Sequence, residues 1–493
     1  MTPDYEVAIV GAGFGGMGAA IAFKRLGISS LVLLEREDDL GGTWHVNHYP
    51  GLAVDIPSMT YSYSFEPNPY WSRLFASGQE LKRYAERVAT KYDLRRHMRF
   101  NTVVEQACWD EQGRCWRIAI AGGEQVTTRY LVTATGFLSQ PHTPDIPGID
   151  TFAGKVIHTA EWDHSYDLTG RRAAVIGTGA TAVQLIPKLA RATAELTVYQ
   201  RTPIWVAPKV DTAIPQRLRA LFARLPIVQR AARLVSTSVL ELMMVSAVLH
   251  FRQARLLNAG AARLASRHLR RQVPDPELRR KLTPDYDFGC KRPTFSNSYY
   301  RAFTRPNVHL ETTGIERIGP QEIVTSDGRK TVIDTLVLAT GFNIWDINFP
   351  AFDITGRGGR NLGQWWRDNR FQAYEGVAVP DFPNYLTLAS PYSYSGLSYF
   401  TTIESQMQHI RRLFTELKRR EARTFEVTQH ANDAFLERVT AKLADSVFYV
   451  GNCATSRSYY FNQHGEAAIL RPTSTVNAFR EARRFPLDDY TYA

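Results

Sequence analysis

Cysteine is scarce in this chain. Its four cysteines, Cys108, Cys115, Cys290 and Cys453, form no C-x-x-C pair and none of the spacings typical of metal ligands. The sequence therefore excludes a C-x-x-C redox dithiol, predicts no metal site and favours reduced thiols in a cytoplasmic protein. The N-terminus also lacks the basic, apolar and small-residue pattern of a secretory signal, because M-T-P-D-Y-E leads directly into an apolar strand.

Acidic residues are scarce between residues 201 and 280. This segment holds fifteen Lys and Arg residues against four Asp and Glu, an excess equal to the net charge of +11 of the whole chain. A nucleic-acid-binding protein would distribute its positive charge differently. The pattern indicates one basic element on a near-neutral protein and argues against nucleic acid as a partner.

The first of two βαβ patterns begins at the N-terminus. It consists of a strand at 6–10, the turn G-A-G-F-G-G at 11–16, a helix at about 15–26 and a strand at 30–34. Gly11, Gly13 and Gly16 let the backbone turn tightly and approach a pyrophosphate at a helix N-terminus. Glu35, at the end of the second strand, can bond ribose hydroxyls. The unit predicts a dinucleotide site.

The second βαβ pattern differs from the first in its charge. It consists of a strand at 173–176, the turn G-T-G-A-T-A at 177–182, a helix at about 181–190 and a strand at 196–199. Ala182 stands where a third glycine is usual, which the fingerprint permits. The last strand leads to Arg201 and Thr202 instead of an acid, and an arginine suits a 2′-phosphate. The pattern favours NADPH over NADH, unless Arg201 is an ordinary surface residue.

The stretch F-A-G-K-V-I-H-T-A-E-W-D at 152–163 lies between the two fingerprints. It resembles the Phe-x-Gly-x-x-x-His-x-x-x-Trp-Asp signature of the flavin-dependent Baeyer–Villiger monooxygenases. The related N-oxygenating flavin monooxygenases carry a similar stretch without the Trp-Asp ending. The resemblance covers nearly the whole chain in motif order. It implies FAD at the first fingerprint and NADPH at the second, and it makes His158 and Trp162 links between domains instead of proton carriers.

The predicted fold is α/β, with two Rossmann-like dinucleotide-binding domains, for FAD and NADPH, and a helical insertion. Strands at 130–137 and 335–342 each end in A-T-G-F and are predicted as the points where the chain leaves and re-enters the FAD domain. The predicted divisions are an FAD domain at 1–148 and 334–493 (the latter with the C-terminal tail), an NADPH domain at 149–214 and 283–333, and a basic insertion at 215–282.

Further motifs resemble the family's cofactor and active-site segments. G-G-T-W at 41–44 resembles an FAD contact, and N-H-Y-P-G-L-A-V-D at 47–55 resembles a family motif in which His48 replaces the usual Arg. Asp55 falls on the family's active-site aspartate. In G-C-K-R-P, Lys291 would hold the 2′-phosphate and Arg292 would be the active-site arginine. The predicted cofactor-binding residues are Gly11, Gly13, Phe14, Gly16, Glu35, Gly42, Thr43, Trp44, Asp55, Tyr61, Val104, Gly177, Thr178, Gly179, Ala180, Thr181, Ala182, Gln184, Arg201, Thr202 and Lys291.

The resemblance implies an oxygenase. NADPH would reduce FAD, the reduced flavin would take up dioxygen as a C4a-peroxide, and one oxygen atom would enter next to the carbonyl of an apolar ketone, giving an ester or lactone. The predicted catalytic residues are Arg292, which stabilises the peroxide, and Asp55, which orients it. An N- or S-oxygenating flavin monooxygenase is the alternative. A flavin disulfide reductase shares the two-nucleotide plan but needs a redox dithiol that this sequence lacks.

The insertion at 215–282 leaves three interpretations open. Its residues 234–251 are apolar nearly all round, interrupted by Glu241. They could form a buried helix, a helix on a membrane surface with flanking arginines on acidic head groups, or a membrane span that Glu241 would make costly. The sequence therefore predicts a cytoplasmic enzyme, with peripheral membrane association through 215–282 as one interpretation.

Overall fold

The structure, a computed structural model, describes residues 2–395 and 398–493. Its largest sheet has eight strands. Seven of them run from edge to edge in the order Asp353–Thr355, Val104–Asp110, Cys115–Ile120, Gln125–Thr133, Tyr5–Val10, Leu31–Leu34 and Met98–Arg99, and Tyr385–Thr387 pairs with Gln125–Thr133. Strand Tyr5–Val10 pairs in parallel on both sides. Its residues 7–9 are fully buried, which explains why the strand is a continuous apolar run instead of an alternating one.

The second sheet is parallel throughout. Its five strands lie in the order Val308–Glu311, Glu195–Tyr199, Arg172–Ile176, Thr335–Leu338 and Lys155–His158. The smaller sheets consist of Ile315–Ile318, Glu322–Thr325 and Lys330–Val332, of Val206–Ala207 with Thr294–Phe295, and of Phe425–Val427 with Tyr490–Tyr492.

Helices cover the sheets. The α-helices outside the insertion are Phe14–Arg25, Thr43–Val46, Gly78–Lys91, Ala180–Ala192, Tyr299–Ala302, Leu362–Asp368, Tyr399–Arg419, Gln429–Leu443, Val447–Val450 and Thr475–Arg484. Short 3-10 turns lie at Arg95–His97, Ile149–Thr151, Thr159–Glu161, Arg357–Gly359 and Leu487–Asp489. Helix Phe14–Arg25 is buried along its first ten residues. It packs closely against Tyr399–Arg419, since a Cβ at Gly18 would lie 3.0 Å from a methyl carbon of Ile403.

Strand Thr335–Leu338 belongs to the second sheet. It pairs with Lys155–His158 and with Arg172–Ile176. The chain therefore returns to the first sheet only after residue 338, and Asp353–Thr355 is the first returning strand to pair there. The expected crossing at residue 334 lies one strand too early, because an apolar strand looks the same in either parallel sheet.

The insertion at 215–282 is helical. It consists of Gln216–Arg224, Pro226–Leu240, the π-helical turn Glu241–Ser246, Ala247–Leu249, Arg255–Gln272 and Pro276–Lys281. The stretch Pro226–Leu249 has a mean hydropathy of 1.6 over its most apolar 18 residues, yet only 18% of that window is buried. The interpretation of a buried helix is therefore wrong for the first part of this stretch, where Leu234, Leu242 and other large apolar side chains are exposed. Only its last turns are buried, at Val245, Ala247 and Leu249.

Two of the four cysteines are joined. Cys290 and Cys453 form a disulfide across a sequence separation of 163 residues, whereas Cys108 and Cys115 are free. The expectation that all four thiols are reduced is therefore wrong. Sequence spacing could not reveal the pair, because only the folded chain brings the segment before Lys291 against the C-terminal tail.

Candidate active site

A cavity of about 1610 Å³ lies between the two large sheets. Residues of both glycine turns line it, together with the segment 49–55, Arg292 and the tail residues Arg457, Tyr459 and Tyr460. A typical ligand pocket encloses about 300–1,000 Å³. The cavity is therefore larger than one small ligand requires and has room for two dinucleotides that meet.

The two glycine turns have the same geometry. Gly11 has a φ of +108° and Gly177 one of +109°. A Cβ on Gly11 would lie 2.6 Å from the carbonyl oxygen of Ala134, and one on Gly177 would lie 2.4 Å from that of Ala339. These alanines begin the two A-T-G-F segments, so each A-T-G-F strand end supports one turn. Only glycine fits there, so the backbone of each turn can lie close to a pyrophosphate at the N-terminus of the helix that follows.

The first turn is completed by Glu35. Its Oε2 accepts a hydrogen bond of 2.6 Å from the backbone amide of Ala12. Burial raises the pKa of the Glu35 carboxyl, although bonds from the backbone amides of Ala12 and Glu37 oppose the rise. The carboxylate lines the cavity beside the turn, where it could bond the ribose of a dinucleotide. These residues fit FAD.

Three further predicted flavin contacts lie around the same turn. Gly42 has a φ of +53°, and a Cβ there would lie 3.1 Å from the Cα of Gly13. The indole Nε1 of Trp44 donates to the hydroxyl of Tyr61 at 3.1 Å. Gly42, Trp44 and Tyr61 line the cavity, as does Gly13 of the turn. The G-G-T-W segment therefore passes close to the first glycine turn because it has no side chain at its second position.

Three basic side chains converge at the second turn. Arg201, Lys291 and Arg457 line the cavity, and among the described residues none of them is ion-paired with a carboxylate. Burial and the neighbouring charge of Arg201 lower the pKa of Lys291 to about 8. Burial and the charge of Arg457 lower the pKa of Arg201. Uncompensated positive charge of this kind fits a phosphate group, and thus the 2′-phosphate of NADPH.

Arg292 and Asp55 form an ion pair in the same cavity. The Nε of Arg292 donates to Oδ2 of Asp55 at 2.7 Å, and its Nη1 donates to the hydroxyl of Tyr394 at 3.1 Å. Burial alone would raise the pKa of Asp55, but the charge and hydrogen bond of Arg292 hold it below its usual value. Asp55 in turn holds the pKa of Arg292 above its usual value despite burial. Both groups are therefore ionised.

Gln184 connects the Asp55 segment to the second glycine turn. Its Nε2 donates to the carbonyl oxygen of Ala53 at 2.9 Å, and its Oε1 accepts from the Tyr49 hydroxyl at 3.0 Å. The side chain starts from helix Ala180–Ala192, which follows the turn. This bridge fixes the position of Asp55 relative to the second site.

The signature stretch forms part of the cavity wall. Its Gly154 leaves no room for a side chain, since a Cβ would lie 2.4 Å from the carbonyl oxygen of Asp334. His158 accepts a hydrogen bond of 3.1 Å from the amide of Ala160, and burial lowers its pKa. Asp163 pairs with Lys155 at 2.8 Å, and Trp162 is buried. The signature residues thus lie in and around strand Lys155–His158 and the turn Thr159–Glu161.

Most predicted cofactor-binding residues line the cavity, but two do not. Gly16 and Ala182 lie behind the glycine turns. A Cβ on Gly16 would lie 1.9 Å from the carbonyl oxygen of Gly11, and Ala182 is fully buried in the second core. Their role is helix-to-turn packing. His48 is exposed and lies outside the cavity, with its ring centroid 5.0 Å from that of His164.

Comparison with known proteins agrees with this geometry. A sequence model described as pyridine nucleotide-disulphide oxidoreductase matches residues 8–241. A Baeyer-Villiger monooxygenase of Streptomyces coelicolor is 38% identical, covering 98% of this chain and 92% of the relative, and one of Pseudomonas aeruginosa is 39% identical, covering 98% and 91%.

The chain belongs to the Baeyer–Villiger monooxygenases.

Solved structures of such monooxygenases share the fold. A structure of OTEMO in complex with FAD and NADP superposes with a TM-score of 0.87 at 28% identity, covering all of both chains. A cyclohexanone monooxygenase from Rhodococcus bound to NADP+ gives 0.87 at 27%, covering 100% of this chain and 99% of that one. These similarities confirm two predictions from the sequence: the α/β fold with two Rossmann-like domains, and membership of the Baeyer–Villiger monooxygenases.

Two residues of this Baeyer–Villiger monooxygenase's site were not predicted from the sequence. Arg457, from the tail, lines the cavity and lowers the pKa of Arg201 by its charge, and the Tyr394 hydroxyl accepts a hydrogen bond from Arg292. Neither residue lies in a recognised motif, and the sequence does not single out Arg457 from other arginines or Tyr394 from the aromatic residues around it. The disulfide Cys290–Cys453 does not line the cavity, so it cannot act as the redox dithiol of a disulfide reductase.

Proposed function

We propose that this Baeyer–Villiger monooxygenase uses FAD and NADPH to insert one atom of dioxygen next to a ketone carbonyl, and that Arg292 stabilises the negative charge that the reaction develops on oxygen. The observation that supports this assignment most directly is the Arg292–Asp55 pair in the cavity shared by both glycine turns. When bound, FAD and NADPH supply dioxygen activation and hydride. Everything else must come from the side chains around them.

The FAD side of the cavity is formed by Gly11, Gly13, Glu35, Gly42 and Trp44. In the proposal the glycines admit the pyrophosphate and Glu35 bonds the ribose. The absence of a side chain at Gly42 lets the segment approach the ring system. These residues would hold the cofactor in the cavity that Arg292 also lines.

The NADPH side depends on charge. Arg201 and Lys291 would hold the 2′-phosphate, with Arg457 adding a third positive group. Thr178 positions this wall, since its hydroxyl donates to the carbonyl oxygen of Thr202 at 2.9 Å. A fixed cluster of cations distinguishes NADPH from NADH by one phosphate group, which is a large electrostatic difference in a partly buried site.

Arg292 is suited to stabilise an oxyanion. It remains charged at any working pH, it is held at two nitrogens, and it lines the cavity. In the proposal Nη2, which bonds no acceptor in the described part of the chain, meets the substrate. A preorganised cation in a site shielded from water stabilises developing negative charge without having to rearrange. Asp55 is a positioning residue in this scheme, because it bonds Arg292 and fixes the direction of the guanidinium.

We propose that the substrate is an apolar ketone. Tyr394, Tyr399, Tyr459 and Tyr460 line the cavity beside Arg292, as does Phe137. Their rings provide apolar walls for the hydrocarbon part of such a ketone, whose carbonyl is the one polar group that these walls need not accommodate. We also propose that the enzyme works in the cytoplasm and contacts membranes through residues 215–282.

The test is product analysis with isotopically labelled dioxygen. Purified protein with FAD and NADPH is incubated with linear, cyclic and aryl ketones, and the products are examined by mass spectrometry. One labelled oxygen atom in an ester or lactone is the expected result. Label found only in hydrogen peroxide or water with every ketone, but in an N-oxide or sulfoxide from amines or thioethers, would transfer the assignment to the N- or S-oxygenating class.

A further inference from the structure

The insertion carries an apolar surface that points away from the protein. Helix Pro226–Leu240 and the following turn Glu241–Ser246 expose six large apolar side chains, each with 48% to 67% of its surface accessible. They are Ile227, Leu234, Val235, Val239, Leu242 and Met243, and we call them the outer apolar face. Exposed apolar groups concentrated in this way mark an interaction site, whereas single ones do not.

The opposite side of the same helix is polar and is bonded to the protein. Gln229 donates at 2.6 Å and Arg233 at 2.8 and 3.0 Å to backbone carbonyl oxygens of the segment 59–68. Ser236 accepts from the hydroxyl of Thr60, in the same segment, at 3.1 Å. Spacings of four and three residues place these three anchors on one face. Val228, Ala232 and Leu240 pack against the core beside these anchors, but the larger apolar surface of the helix faces away from it, whereas an amphipathic helix usually turns its apolar stripe to the core.

Glu241 argues against a membrane span. Its carboxylate accepts from the amide of Thr475 at 2.8 Å and from the Thr475 hydroxyl at 2.7 Å. These bonds tie the middle of the apolar stretch to helix Thr475–Arg484. Together with the anchors at Gln229 and Arg233, they keep the helix lying along the protein, so that only its outer side is free to contact a partner.

The charge of the insertion selects among partners. Residues 215–271 contain eleven arginines and one acid, Glu241. Arg233 bonds the protein and Arg252 pairs with Asp445, which leaves nine arginines with no ion pair among the described residues. Two copies of this surface placed face to face would bring together many arginines with almost no carboxylate to pair with them. An anionic lipid surface instead attracts the arginines, while apolar side chains between them enter the head-group region.

The same insertion reaches the reaction centre. Val248 and Leu249, in the short helix Ala247–Leu249 after the π-helical turn, line a small apolar cavity of about 30 Å³. Arg292 and Phe448 are among the other residues that line it. Arg292 also lines the large cavity. The apolar helix thus begins at the outer apolar face and ends beside the residue proposed to act on the ketone.

We propose that the outer apolar face rests on an anionic lipid bilayer and that the enzyme draws a membrane-dissolved, long-chain ketone from it. The proposal rests on the proposed oxygenation for its substrate but not for its membrane contact. The two can therefore be tested separately.

The test combines vesicle binding with two substrates. The FAD-loaded enzyme is sedimented with phosphatidylcholine vesicles, with and without phosphatidylglycerol, and is assayed with cyclohexanone in buffer and with a long-chain methyl ketone dissolved in the vesicles. The test variant is Leu234→Glu/Leu242→Glu. The matched control is Val332→Glu, which places the same charge at an exposed valine outside the insertion, on strand Lys330–Val332. Wild type and control are expected to bind phosphatidylglycerol vesicles and to release at high salt.

The double variant is expected to lose vesicle binding and about tenfold or more of its activity on the vesicle-dissolved ketone, with its activity on cyclohexanone unchanged. Wild-type enzyme that stays in the supernatant with phosphatidylglycerol vesicles overturns the membrane proposal. So does a wild-type dimer, seen by light scattering, that the double variant dissociates, because the face would then bind a second copy. Vesicle binding without oxygenation of either ketone would contradict the proposed function and its substrate, while supporting the membrane contact.

Discussion

Arg292 and Asp55 lie 237 residues apart in the sequence and share a hydrogen bond of 2.7 Å between Nε and Oδ2. The Asp55 carboxylate accepts from the Nε side of the guanidinium, and the Tyr394 hydroxyl accepts a hydrogen bond from Nη1. Two of the arginine's three nitrogens are therefore used to fix its orientation. The third nitrogen, Nη2, bonds no acceptor among the described residues, and we propose that it meets the oxygen on which negative charge develops.

Substituting Arg292 should separate cofactor reduction from oxygenation. In Arg292→Ala we expect flavin reduction by NADPH to persist and ester formation to fall by about 10²–10³, because a preorganised cation is lost only from the oxygenation step. Stopped-flow absorbance measures the first and product analysis the second.

Arg292→Lys is the matched control, since it keeps the charge but cannot bond Asp55 and Tyr394 in the same way. We expect intermediate ester formation. Undiminished ester formation in Arg292→Ala would remove Arg292 from the mechanism.

Substituting Arg201 should affect one coenzyme more than the other. In Arg201→Ala we expect KM for NADPH to rise by about tenfold or more and KM for NADH to change little, because only NADPH has a phosphate for this residue. Steady-state kinetics with both coenzymes measure this. Arg191→Ala, at an exposed arginine on helix Ala180–Ala192, should change neither. Equal changes for both coenzymes in Arg201→Ala would contradict the role in 2′-phosphate binding.

The lowered pKa of Lys291 predicts a pH dependence of coenzyme affinity. With a pKa of about 8, Lys291 is charged below that pH and loses its charge as the pH rises through it. Since the phosphate binds the charged form, we expect KM for NADPH to rise about tenfold between pH 7 and pH 9. KM for NADH should stay flat, and Lys291→Met should abolish the rise. A rise of the same size with NADH would assign the titration to another group.

The disulfide predicts a thiol count and a stability effect. Unfolded, unreduced protein should show two reactive thiols, from Cys108 and Cys115, and reduction should raise the number to four. Cys453→Ser should lower the free energy of unfolding by about 2–4 kcal/mol, because the crosslink closes a long loop in the unfolded chain. Denaturant unfolding measures this, and Cys108→Ser is the control. Four reactive thiols before reduction would show that the bond is absent.

The local units could be predicted from the sequence alone. The glycine turns at Gly11 and Gly177, the helices after them and the acid or arginine at each second strand depend on backbone freedom and short spacing, and they lie where the pattern predicts. The structure brings Asp55, Lys291 and Arg292 into one cavity, as the family resemblance implies. Their catalytic and binding roles, and the other assigned site roles, stay predictions.

Features that depend on contacts between distant segments became known only from the folded structure. It joined Cys290 to Cys453, added Arg457 and Tyr394 to the site, and placed strand Thr335–Leu338 in the second sheet. In the structure the larger apolar surface of helix Pro226–Leu240 also faces outward, because polar side chains such as Gln229 form hydrogen bonds with the protein. Periodicity predicts that a helix has two faces, but which of them faces the protein is decided by the surface against which the helix packs.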